Sequence, residues 1–129
     1  VFEIGNHTYD MHKFKPRYGI KQKAGESEAA YIAAITSDIM KLQSILITKC
    51  GVRPVCFAYP FGSYNSIARE VLLEMRFKMM FTCNEKLNII SRGKCESLYS
   101  VGRYNRSGNA ERKEFFDKIA SHEVKLISQ

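Results

Sequence analysis

Tryptophan is absent from the 129 residues, and aspartate is scarce: Asp10, Asp38 and Asp117 are the only three. No two of them are neighbours, so the chain carries no paired-aspartate motif for general acid–base work. The four cysteines, Cys50, Cys56, Cys83 and Cys95, contain no C-x-x-C pair, which argues against a structural zinc site. Cys56 and Cys83 lie in apolar, strand-like runs and read as reduced, buried thiols; a Cys83–Cys95 disulfide is the alternative. The apolar runs are too short to cross a bilayer, so no transmembrane segment is expected. Initiator methionine and signal peptide are both missing, and the chain opens inside a strand-like stretch. Position 1 therefore reads as a cut edge that says little about compartment. There is no internal repeat and no low-complexity tract.

Acidic residues are also the minority, with 13 Asp and Glu against 20 Lys and Arg and a net charge of +7. Such an excess can steer a protein toward anionic partners. No nucleic-acid motif accompanies it, so the charge reads as a solvated basic surface and no nucleic-acid partner is expected.

What remains is an ordinary globular balance, 45% hydrophobic and 26% charged, and a length sufficient for one domain with a core. Phe2 to Thr8 reads as a short strand. Residues 13 to 26 form a basic connector without periodicity, expected to be a long and partly mobile loop. Ser27 can cap a helix that Gly51 ends, and Ile32, Ile35, Ile39, Leu42 and Leu46 recur between them at helical spacing. Val55 to Tyr59 is a second strand that enters the turn Pro60-Phe61-Gly62. A helix over Ser66 to Met75, a strand over Lys78 to Cys83, a short strand over Leu87 to Ile90 and another over Leu98 to Tyr104 follow. Asn109 can cap a last helix carrying Phe115, Phe116 and Ile119. Alternating strands and helices predict an α/β fold with a mostly parallel sheet.

In such a sheet, sites form at the C-terminal strand ends. Two loops occupy that position. Asn6-His7-Thr8-Tyr9-Asp10-Met11-His12 holds two of the chain's three histidines, five residues apart. On a helix that spacing would turn the rings apart by roughly 140°. In a loop they can converge on one ion, and neutral imidazoles suit zinc, cobalt, nickel or iron; two solvent-facing loop histidines is the competing reading. His122, beside Glu123, reads as a surface residue. The second loop, Ala58-Tyr59-Pro60-Phe61-Gly62, makes a tight turn that can aim backbone N–H groups into a cleft.

Taken together, the Glu3-Ile4-Gly5-Asn6-His7-Thr8 and Phe57-Ala58-Tyr59-Pro60-Phe61-Gly62 stretches resemble the polysaccharide deacetylase family, the NodB-homology domain of carbohydrate esterase family four. The five-residue His-Thr-x-Asp-x-His spacing is similar to the subgroup that acts on poly-N-acetylglucosamine. The likeness runs from Phe2 to about Arg106. It implies that residues 1–129 are the C-terminal part of one such domain, a partial, deformed (β/α) barrel lacking its first strands. It further implies a divalent metal, zinc with cobalt or nickel as alternatives, held by His7 and His12 and by a third ligand from outside these residues. Phe61 would donate a backbone N–H to the oxyanion. Thr8 would brace the histidine loop, and Asp10 would hold an imidazole N–H. Tyr59, Pro60 and Tyr64 would contact an acetylated glucosamine polysaccharide. An extracellular or envelope location goes with the family, and an open sheet edge would invite a homodimer.

Three departures qualify the likeness. The family's Thr-Phe-Asp-Asp-Gly motif, source of the metal-binding and general-base aspartates, does not occur. Asp38 falls mid-helix and Asp117 near the end, so neither replaces it. The late Leu-x-His of the general acid is replaced in order by Leu98-Tyr99-Ser100-Val101-Gly102-Arg103, where Arg103 is a candidate charge-stabilising group. The Trp-bearing motif is absent. The expected function is metal-dependent removal of N-acetyl groups from a glycan such as poly-N-acetylglucosamine, chitin or peptidoglycan, with this chain alone inactive. The alternative is a non-catalytic carbohydrate-binding or assembly fragment.

Overall fold

A computed structural model describes residues 2–109 and 111–127, with side chains to residue 123. Its longest element is helix α1 (Glu28–Cys50), which starts where Ser27 Oγ accepts the Ala30 N–H and ends at Gly51 in the left-handed region. The short strand β1 (Cys56–Ala58) leads through a 3₁₀ turn (Pro60–Gly62) into α2 (Ser66–Glu74), capped by Asn65. Strand β2 (Met79–Phe81), a second 3₁₀ turn (Cys95–Leu98) and α3 (Arg112–Ile127) complete the order.

β1 and β2 pair in parallel, Phe57 opposite Met80. Single parallel bridges extend the pair on both sides, Asn6 to Phe57 and Val101 to Phe81. Four stretches of chain therefore lie side by side, with regular strand only in the middle two. The expected strands over 2–8 and 98–104 contract to those single bridges, each with a ladder partner on one side only among the described residues. The expected strand at Leu87 to Ile90 does not form among the described residues: Ile89 and Ile90 stay more than half exposed and no ladder bond holds them. The last helix begins at Arg112, later than an Asn109 cap predicts; Phe116 is exposed, and the Asn109 N–H bonds Ser107 Oγ instead.

The core lies where α1 and α2 cover one face of this sheet. Tyr31, Ile35, Ile39, Phe57, Tyr59, Ala68, Leu72 and Met80 are fully buried. On α1 the buried line is Tyr31, Ile35, Ile39 and Gln43, while Ile32, Leu42 and Leu46 of the expected stripe sit half-buried at its edge. Hydrogen bonds turn the helix to that face: Tyr31 Oη donates to Ile20 O (2.6 Å) and Gln43 Nε2 to Pro54 O (2.9 Å). Contrary to the sequence expectation, α1 is long and apolar enough by length and composition to cross a bilayer. Its buried line shows that it serves as the core helix of this fold.

The connector 13–26, expected to be mobile, is pinned. Ile20 is fully buried. Arg17 and Glu26 form a two-pronged pair (2.8 and 2.5 Å) with both side chains only 9% exposed. Arg17 Nη1 also donates to Lys21 O (3.0 Å). Gly19, at φ 57°, lies so close to Pro60 that a Cβ there would stand 2.8 Å from the Pro60 oxygen. The connector is thereby clamped onto the 3₁₀ turn. All four cysteines are free; Cys50, Cys83 and Cys95 are exposed, so Cys83 is not the buried thiol expected and no Cys83–Cys95 bridge forms.

Gln43→Leu should lower stability by about 1–3 kcal/mol, because the Pro54 carbonyl and one Asn6 amide proton lose their buried partner. The urea midpoint should fall at constant slope; an unchanged midpoint would show that water replaces the bond. The Arg17 guanidinium holds the Glu26 carboxyl down from 4.5 to about 2. A lowered folded-state pKa gives stability that is present above 4.5 and drains away as the pH falls toward 2. Glu26→Gln should flatten that part of the acid-unfolding curve; an equally steep curve in the variant would assign the acid sensitivity to other carboxylates.

Candidate active site

The histidine loop is aimed by its first residue. Asn6 lies beside β1, its N–H on Cys56 O and its carbonyl taking the Ala58 N–H, both at 2.9 Å. Its side chain is buried, donating to Ile39 O (3.2 Å) and Gln43 Oε1 (3.0 Å) and accepting the Thr8 N–H (2.9 Å). His7 therefore leaves the sheet at the C-terminal end of β1, with Nδ1 2.7 Å from Ala58 O. A carbonyl can only accept, so Nδ1 carries a proton, and in the neutral imidazole Nε2 keeps its lone pair. The loop then crosses the side of α1, where the Asp38 carboxylate accepts the N–H groups of Tyr9 (2.7 Å) and Asp10 (2.9 Å). That turn brings His12 back, its ring 4.8 Å from His7 centroid to centroid and inclined at 69°.

The second loop meets the first. Tyr59 N–H bonds Phe81 O, fixing the end of β1 to β2 (2.9 Å). Phe61 then takes φ 56° and ψ 13°, and Gly62 follows at φ 67°. A Cβ at Gly62 would stand 2.6 Å from the Cys83 nitrogen, so only glycine fits against the end of β2. The Gly62 and Ser63 N–H groups close the turn on Tyr59 O and Pro60 O. The Phe61 N–H takes part in neither bond. The Phe61 ring packs 4.3 Å from His12, which joins the turn to the histidine pair.

His7, His12 and Phe61 are thus brought together. Other expected residues stand elsewhere. The Asp10 carboxylate is on Lys13 Nζ (2.7 Å) and exposed, and the partner of the His7 N–H is the Ala58 carbonyl. Thr8, at φ 68°, has a buried hydroxyl with no hydrogen-bond partner among the described residues, so Asn6 and Asp38 brace the loop in its place. Tyr59 and Pro60 are buried in the core, where a glycan cannot touch them; burial pushes the Tyr59 phenol far above its ordinary pKa. Tyr64 stacks on the Tyr59 ring at 4.2 Å. Arg103 stands at the end of β2, its Nε on Thr82 O (2.9 Å). His122 is not a free surface histidine: its Nδ1 meets the Tyr104 hydroxyl at 2.5 Å.

Sequence reasoning missed Asn6 and Asp38 as the loop's anchors, and Phe14 and Tyr18, whose rings lie against Phe61 at 4.7 Å each. The available signals were a carboxylate one residue from the core line of α1 and two aromatics four apart in a basic loop.

The donor set fits a divalent transition ion in part. Two imidazoles lie side by side, one with its free nitrogen fixed by a carbonyl on the other. The described residues hold no cluster of three or more His, Cys, Asp or Glu, whereas catalytic zinc sites take three protein ligands. A cavity of about 450 Å³ opens beside His7, lined among others by Glu3, Gly5, Cys56, Ala58 and Phe81. Burial, reinforced by the bond to Glu3, pushes the Cys56 thiol up to about 11, so it is no nucleophile at neutral pH.

Comparison with known proteins gives this arrangement a context. The sequence profile of the polysaccharide deacetylase family matches residues 2–80. The poly-beta-1,6-N-acetyl-D-glucosamine N-deacetylase of Escherichia coli is 28% identical over 144 aligned positions, covering 97% of this chain and 20% of its own length. The chain thus spans about a fifth of that relative. The structure of IcaB from Ammonifex degensii superposes with a TM-score of 0.62 at 24% identity, over 81% of this chain and 42% of its own. The Streptococcus pyogenes deacetylase PplD, solved with acetate, gives 0.66 at 18% identity, over 89% and 43%. At such identities the two structures establish the fold: this chain is a small α/β unit matching under half of each larger protein.

Asp38→Ala should release the loop without unfolding α1. The Tyr9 and Asp10 amides should exchange with solvent roughly tenfold faster or more, since each loses a charge-assisted bond. Amide exchange followed by NMR reads this; unchanged protection would mean that Asn6 holds the loop unaided.

Proposed function

The chain belongs to the polysaccharide deacetylase family, and on that premise we propose that it is the C-terminal part of a metal-dependent enzyme that removes N-acetyl groups from an N-acetylglucosamine polymer. Residues 1–129 are read as one part of a single (β/α)-barrel domain whose first strands lie outside them. The observation that carries the reading is the meeting of the carbonyl-oriented His7, His12 and the Phe61 turn at adjacent strand ends. The Escherichia coli relative's name points to poly-β-1,6-N-acetylglucosamine as the polymer.

In this reading His7 and His12 are two of the metal's ligands, and zinc, with cobalt or nickel as alternatives, supplies Lewis-acid activation of the amide when bound. The Ala58 carbonyl keeps His7 in the tautomer that offers Nε2. The Phe61 N–H, left out of its own turn, is available to the oxygen on which charge develops as the acetamide carbonyl is attacked. Gly62 permits this by letting the turn lie against Cys83. Arg103, at the end of β2, is assigned to charge stabilisation on the neighbouring wall. The general base and third ligand are assigned to sequence outside these residues. A second reading, a non-catalytic glycan-binding unit, draws on the lack of a three-ligand group among the described residues.

The 129 residues should bind Zn²⁺ weakly in calorimetry and release no acetate from acetylated glucosamine oligomers. A longer chain bearing the family's paired aspartates should release acetate with Zn²⁺ or Co²⁺, and His7→Ala or His12→Ala should abolish that release. Loss of the base alone should cost about 10²–10⁴-fold. Metal-dependent acetate release by the short chain would place the base within it, and a longer chain that stays inert would favour the glycan-binding reading.

A further inference from the structure

The connector that clamps onto the Phe61 turn carries an exposed aromatic surface that the reaction does not use. Phe14 is 71% exposed and Tyr18 43% exposed. Each lies nearly parallel to the Phe61 ring, at 4.7 Å and inclinations of 24° and 25°, and their own centroids are 5.9 Å apart. The three rings thus form one cluster, which continues through Phe61 to His12 at 4.3 Å. The cluster is held in place from behind. Gly19 touches Pro60 and the Phe61 ring, Ile20 is buried, and Arg17 is locked to Glu26. Two large rings held open to solvent on a fixed backbone, beside the candidate site, form a preorganised binding face.

We propose that Phe14 and Tyr18 form a sugar-stacking subsite, which takes the axial C–H face of a neutral N-acetylglucosamine residue next to the one at His7 and His12. The proposal rests on the glycan reading above. A pyranose face is the occupant that suits this surface: it is flat, apolar on one side and hydroxylated at its rim. Lys15 follows Phe14 in sequence and is assigned as the donor for that rim, the Lys13 ammonium being engaged by Asp10. Continuity with the Phe61 turn places the subsite along the same glycan chain as the scissile acetamide.

The test titrates the full chain with a β-1,6-linked N-acetylglucosamine tetrasaccharide, reading NMR shifts of the Phe14 and Tyr18 rings and saturation transfer to the sugar's axial protons. Both signals should appear, with Phe14→Ala and Tyr18→Ala each weakening binding by roughly three- to tenfold, and Phe14→Trp restoring it. Phe14 is mostly solvent-exposed, so its truncation leaves the core intact; an unchanged urea midpoint confirms this. Binding undiminished in both variants, or no binding by the wild-type chain, overturns the subsite. Cellotetraose separates this from failure of the glycan reading. If it binds as well as the acetylated oligomer and with the same dependence on Phe14, the stacking face stands and the assigned substrate falls.

Discussion

The buried side chain of Asn6 is the contact on which the site's geometry depends. One residue pairs with β1 through its backbone and with α1 through its amide, so the sheet and the helix are registered against each other at the point where the histidine loop begins. Its remaining oxygen takes the Thr8 N–H, which starts the turn. A buried amide can be accommodated only when its donors and acceptor are all engaged, and here they are. Because such a network tolerates little displacement, His7 is delivered to the Ala58 carbonyl in a single orientation. The tautomer that leaves Nε2 free follows from that placement.

The same logic extends along the loop. Between His7 and His12, Thr8 is buried and Met11 packs partly against the core, but Tyr9 and Asp10 at the middle of the loop are exposed. An unsupported loop of this kind would sample many conformations. Asp38 removes that freedom by accepting two consecutive N–H groups from the flank of α1. The histidine pair is therefore organised by the helix as much as by the strand, and the long α1 serves the site as well as the core. On the other side, the pinned connector holds the Phe61 turn through Gly19.

Much of this was legible from sequence where local chemistry decides structure. Ser27 and Gly51 bound α1 because a hydroxyl cap and a left-handed glycine are local requirements. The two site loops followed from strand ends and family-like motifs, and the structure brings His7, His12 and Phe61 together. What was illegible depends on distant partners. Gln43 joins the buried line of α1 because Asn6 and Pro54 engage it from 37 and 11 residues away, and no periodicity reports that. The Leu87 to Ile90 run has strand composition, but the Asn88 side chain, 14 residues from Gly102, takes that residue's N–H and carbonyl in place of a backbone ladder. Tyr59 looked available to a ligand because the turn after it is; alternation along β1 sends its ring inward with Phe57, against Leu72 and Met80 of the core. Asp10 looked like an imidazole partner by proximity in sequence, and Lys13 takes its carboxylate three residues on.

Backbone strain marks the same place. Among the described residues, three other than glycine have positive φ: Thr8, Phe61 and Arg76. Arg76 follows the end of α2, where a left-handed residue is an ordinary way to stop a helix, and its N–H is taken by Leu73 O. Thr8 and Phe61 have no such excuse: a β-branched and an aromatic residue in that region cost about 1–2 kcal/mol each. Both stand just past the sheet, one in each site loop. At Thr8 the left-handed step turns the chain off the line of β1, so that His12 can return beside His7. At Phe61 it keeps the N–H out of the turn's own bonds. Offsetting bonds from Asn6, Asp38 and Tyr59 hold both conformations in place. The strain is thus confined to the two points where a relaxed backbone would separate the imidazoles or spend the Phe61 donor on the fold.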